Sequence, residues 1–145
     1  MKKTLLALTL SLLLSSVTMA ATQNIAVVDV SAVVSKSAQV QNLKKEQKAK
    51  MAELEKWLKT AQADVNNQQT QEGKEKLLKK YNSEFAKKRQ SIASDYQKKL
   101  QAIDKSITET ISTKSKAMGY DMVISKSMVI TGGDDITSEI QKAVK

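Results

Sequence analysis

The chain has 145 residues, with 24 Lys or Arg against 15 Asp or Glu, a formal net charge of +9, and neither Cys nor His. That length suits one domain of ordinary size. The missing residue types exclude disulfide stapling, thiol catalysis, and the commonest general base and metal ligand.

Residues 1–20, MKKTLLALTLSLLLSSVTMA, read as a secretory signal peptide. Lys2 and Lys3 form its basic head, Leu5 to Leu14 its apolar run, and Thr18-Met19-Ala20 a small-residue cleavage site. The run is short of the roughly 20 residues that span a bilayer. Cleavage is expected after Ala20, giving an exported chain of net charge +7 with no Cys for a lipid anchor. Arg89 is the only Arg. A Lys-dominated surface favours diffuse attraction over bidentate base reading, so nucleic acid is not expected as a partner.

Residues 24–30, NIAVVDV, are β-branched and apolar and predict a buried strand. From residue 31 to about 117 there is one Gly and no Pro, which predicts very long helices. Met51, Leu54, Leu58, Ala61 and Val65 recur at alternating steps of three and four, a heptad seam for an ascending arm. In the descending arm Tyr81, Ile92 and Ile103 stand eleven apart, as do Phe85, Tyr96 and Ile107. That repeat gives nearly straight packing. NNQQTQEG, residues 66–73, has no apolar residue and ends on Gly73, which places the hairpin tip there. Two further strands are expected in YDMVIS (120–125) and MVIT (128–131), followed by Gly132-Gly133 and a short terminal helix. The domain plan is thus a hairpin arm over 36–117 and a β-containing oligomerisation body over 21–35 and 118–145.

Six acid-to-base pairs at i, i+4 support the arms: Glu46–Lys50, Glu55–Lys59, Glu72–Lys76, Glu75–Lys79, Glu84–Lys88 and Asp95–Lys99. They do not use all the charge. Between Lys36 and Lys116 there are 19 basic and 10 acidic residues, net +9, while the rest of the mature chain is net −2. This excess makes an attractive surface for an anionic or unfolded partner. The candidate holding surface is diffuse and comprises Lys79, Lys80, Lys87, Lys88, Arg89, Lys98 and Lys99.

No catalytic constellation is present. There is no Gly-rich phosphate loop and no Ser followed three positions on by Lys. Asp134-Asp135 read as helix-entry acids rather than a cation site, and Trp57 as arm-to-arm packing rather than a ligand platform. No enzyme activity, metal or cofactor is expected. Three apolar strands with open edges cannot stand alone. Ile25, Val27, Val28, Met122, Val123, Ile124, Val129 and Ile130 are therefore expected at a contact between identical subunits.

The strand Ile25-Ala26-Val27-Val28-Asp29-Val30, the Lys/Gln-rich hairpin, the strand Asp121-Met122-Val123-Ile124 and the ending Asp135-Ile136-Thr137 through Val144-Lys145 together resemble the Skp/OmpH family of periplasmic chaperones. The resemblance implies a mostly α fold, a homotrimer whose helical arms surround a cavity, and ATP-independent holding of unfolded outer-membrane β-barrel proteins in the periplasm. The family is also linked to anionic lipid or lipopolysaccharide through a basic cluster on the arms; here Lys87, Lys88 and Arg89 are basic, but no Arg stands around Ser94 and Asp95. The alternative is a static envelope spacer whose arms bind one folded partner.

Overall fold

A computed structural model describes residues 23–144; the expected signal peptide lies outside them. The elements are β1 (Ile25–Val28), α1 (Val30–Lys36), α2 (Ala38–Asn67), α3 (Gln71–Ala117), β2 (Met122–Ser125), a 3-10 turn (Lys126–Met128), β3 (Asp134–Asp135) and α4 (Thr137–Ala143). The molecule is a long helical hairpin on a small strand-containing body, the architecture expected from the sequence.

The first three helices each start where a short polar side chain takes an orphan N–H. Asp29 accepts from Ala32 N at 2.9 Å to begin α1. Buried Ser37 adopts an extended conformation, ends α1 and accepts from Val40 N to begin α2. Thr70 accepts from Gly73 N at 3.1 Å to begin α3. The hairpin turn is therefore only Gln68–Thr70. The arms are unequal: α2 has 30 residues and α3 has 47, hence about 45 Å and about 70 Å at 1.5 Å per residue.

The heptad seam is only partly realised. Leu54, Ala61 and Val65 are buried, but Met51 and Leu58 are 50% and 40% exposed. The buried α2 residues Leu43, Leu54 and Val65 are eleven apart, matching the rows of α3, where Tyr81, Phe85, Ile92, Tyr96 and Ile103 are half-buried and Ile107 is buried. A 3.5-residue seam and an eleven-residue one drift in opposite senses. They cannot stay in register along one interface, so the intervening heptad positions rotate outward.

The sheet order is β2-β1-β3, all parallel, with Ile25 opposite Met122, Ala26 opposite Val123 and Asp134, and Val27 opposite Ile124 and Asp135. The third strand is not where the sequence placed it. MVIT (128–131) is no strand: Met128 ends a 3-10 turn, and Asp134-Asp135 pair with β1 instead. Gly132 and Gly133, at φ +89° and +81°, carry the chain across the sheet. Only then does it align with β1. Asp135 still serves the helix entrance, accepting from Thr137 N at 3.0 Å.

Ala26, Val28, Val33, Ile107, Ile136 and Ile140 form the core, on the sheet face that the helices cover. Full burial of an aliphatic side chain of this kind stabilises by about 1.5–3 kcal/mol. The other face has thin cover. Gly133 lies so close that an added Cβ would sit 2.6 Å from Val27 Cγ2, so the crossing segment shields Val27. Met122, Met128 and Ile130 stay 46%, 79% and 103% exposed. Parallel sheets are normally buried on both faces, and within this chain this one is not.

Candidate functional site

Two layers tie the arms together above the body. The upper layer is aromatic. Trp57 of α2 stacks on Phe85 of α3 at 6.5 Å with planes 2° apart, and meets the Tyr81 edge at 5.7 Å. The Tyr81 hydroxyl donates to Asp64 across the hairpin at 2.5 Å. That carboxylate hydrogen bond pushes the Tyr81 phenol up. Three cations lie against these rings: Lys80 over Tyr81 at 5.6 Å, Lys88 over Trp57 at 5.3 Å and Arg89 over Phe85 at 5.7 Å. Trp57 is thus the arm-to-arm contact expected of it.

The lower layer is a closed ring of four charges, two from each arm. Lys50 meets Glu46 at 2.9 Å and Asp95 at 2.5 Å. Lys99 meets Asp95 at 3.2 Å and also Glu46. Hydrogen bonds from Lys99 and then Lys50 hold the Glu46 carboxyl below its ordinary range, and those from Lys50 and then Lys99 do the same for Asp95. The two ammonium groups are raised in return, Lys50 chiefly by Asp95 and Lys99 chiefly by Glu46.

These contacts sort the candidate cations. Lys79, Lys87 and Lys98 stand exposed on α3. Lys80, Lys88 and Arg89 are exposed but laid on aromatic faces, and Lys80 also approaches Glu84 at 4.0 Å. Lys99 is half-buried and neutralised in the ring. Of the six expected helical pairs, Glu46–Lys50, Glu55–Lys59, Glu72–Lys76 and Asp95–Lys99 form. Glu84 turns to Lys80 instead, and Glu75 accepts from Gln71 at 3.3 Å.

The expected contact residues of the body separate in the same way. Val28 (0% exposed) and Val27 (4%) are buried inside the chain's own fold. Ile25, Val123, Ile124 and Val129 are half-buried, while Met122 and Ile130 face outward. Met128 belongs with the last two and was not among the sequence candidates; its signal was only an apolar side chain four residues before the Gly132-Gly133 pair. The cross-arm ring was also missed. Its partners are 45 and 53 residues apart, and helical spacing says nothing about such pairs.

The described residues contain no cluster of metal-ligating side chains and no helix long and apolar enough to cross a membrane. The described residues thus form a small parallel-sheet body bearing one long, basic, antiparallel hairpin. The chain belongs to the OmpH family, described as outer membrane protein (OmpH-like), whose family model matches residues 24–144. This membership supports a chaperone-type function and a periplasmic location in general terms. No curated protein matches the chain.

Proposed function

We propose that the protein is an ATP-independent holdase which assembles as a homotrimer and keeps unfolded outer-membrane β-barrel proteins from aggregating in a cavity between its arms. The observation that carries this reading is the arm itself. It is long, bears the whole positive excess of the chain, and presents exposed cations over half-buried aromatic rings. Family membership favours the same reading. Assembly is supported by the exposed apolar side chains of Met122, Met128 and Ile130 and by the position of β2 at one edge of the sheet. The exposed cations Lys87, Lys88 and Arg89 also suit contact with anionic lipid or lipopolysaccharide headgroups. A rigid spacer would want an apolar patch at its tip, whereas Asn66 to Thr70 is wholly polar.

The test is aggregation of a urea-diluted β-barrel protein, without nucleotide, over a salt series. The wild type is expected to suppress aggregation, with capture slowing as salt screens exposed charges beyond about 8 Å. Reversing Lys79, Lys80, Lys87 and Lys88 to Glu is expected to weaken holding markedly and to leave the oligomer intact. A wild type that suppresses nothing at any salt overturns the holdase in favour of the spacer.

A further inference from the structure

Met51 and Leu58, seam positions by their spacing, line an open hollow of about 620 Å³ on the arm. Buried Leu54 and half-buried Phe85 contribute to its apolar wall, and Lys48 and Arg89 its positive charge. The one acid lining it, Glu55, pairs with Lys59 at 3.3 Å. Arg89 lies over the Phe85 ring and forms no ion pair among the described residues. The groove therefore combines an apolar surface with cations that no carboxylate of the arm neutralises.

We infer that this groove is a discrete docking site, within the broader holding surface, for an extended polypeptide segment in which apolar or aromatic side chains alternate with carboxylates. The inference rests on the holdase reading and deepens it by naming what the arm recognises. Charge complementarity selects the occupant. An extended segment sends successive side chains to opposite sides, so its apolar side chains can enter between Met51 and Leu58 while flanking carboxylates reach Lys48 and Arg89. A cation on an aromatic face keeps its charge available to an incoming anion. Met51 adds an unbranched, adaptable side chain suited to varied partners.

The experiment uses the full mature protein and three end-capped synthetic peptides, alternating Phe with Asp, Phe with Lys, and Ser with Asp. Emission of Trp57, the only Trp in the chain, reports binding, because Trp57 stacks on Phe85. The Phe/Asp peptide is expected to bind most tightly, and Met51→Ser with Leu58→Ser to weaken it about tenfold. Arg89→Gln is expected to weaken the Phe/Asp peptide and not the Phe/Lys peptide. Lys56→Ser, on the exposed side of the same helix, serves as control, and far-UV circular dichroism checks that every variant keeps its helices. Equal binding of all three peptides, undiminished Phe/Asp binding by the Ser pair, or no binding by the wild type overturns the docking site. If the wild type still suppresses aggregation in that case, the holdase reading stands without it. If it does not, both fall.

Discussion

Single residues in this chain are constrained most tightly where backbone runs close to a neighbour. Gly133 has φ +81° and no room for a Cβ against Val27. Gly133→Ala is expected to cost about 1–3 kcal/mol from the backbone conformation alone, with the Val27 contact adding to it. Gly73 looks similar by distance, since an added Cβ would lie 2.6 Å from Gln68 Cδ. Its obstacle is the end of a flexible side chain, and Gly73 occupies the first turn of α3. Gly73→Ala is therefore expected to stabilise by up to about 1 kcal/mol through helix propensity. Urea unfolding of the two variants should move in opposite directions.

Among the elements, the hairpin depends on its ionic layer in a way that pH can expose. The Glu46 and Asp95 carboxyls titrate lower in the folded arm than in the unfolded chain. Their contribution is present above the ordinary carboxylate range and is lost as pH falls through it. The Lys50 and Lys99 ammonium groups titrate higher when folded than their ordinary 10.5. Theirs is present below that value and is lost as pH rises past it. Thermal midpoints should be flat between about pH 5 and pH 10 and fall on both sides. The neutral variant Glu46→Gln, Lys50→Gln, Asp95→Asn, Lys99→Gln, which leaves net charge unchanged, should show shallower flanks.

The helices themselves were legible, because Gly and Pro are nearly absent from them and apolar residues recur at fixed steps. Their mutual register was not. Gln39–Ser106, Glu46–Lys99, Lys50–Asp95 and Asp64–Tyr81 are all centred on the same point, between Glu72 and Gly73. The polar stretch 66–73 is centred some three residues earlier. One turn of a helix is enough to change every cross-arm partner, so neither the ring nor the outward Met51 and Leu58 could follow from spacing. The candidate cations were found as a group for their charge. Their placement on Trp57, Phe85 and Tyr81 needed the packed arms. The third strand was misplaced because Met128 to Thr131 has strand composition, while Asp134-Asp135 is paired by the chain's path and not by propensity.

At the scale of the whole molecule, the two sheet faces give different expectations for an introduced charge. Val28→Asp buries an unpaired carboxylate in the subunit core and is expected to unfold the body outright. Met122→Asp with Ile130→Asp places carboxylates on surface that one subunit leaves open. It should keep helicity and lose self-association. Light scattering with far-UV circular dichroism separates the two results. A double variant that assembles like the wild type would remove this face from the subunit contact.

The central strand of the sheet comes from the beginning of the described chain, and both of its neighbours come from the far end. Asn24 N donates to Asp121, 97 residues away, at 3.0 Å. As the chain emerges N-terminus first, β1 has nothing to pair with until nearly everything else has appeared. The hairpin is local and can wind within microseconds, whereas the sheet waits on a long-range closure. The most apolar strand of the chain therefore cannot lock into a sheet early. Ending translation after Ala117 should accordingly leave the α2–α3 hairpin helical and the N-terminal strand exposed to protease, and restoring 118–145 should protect it.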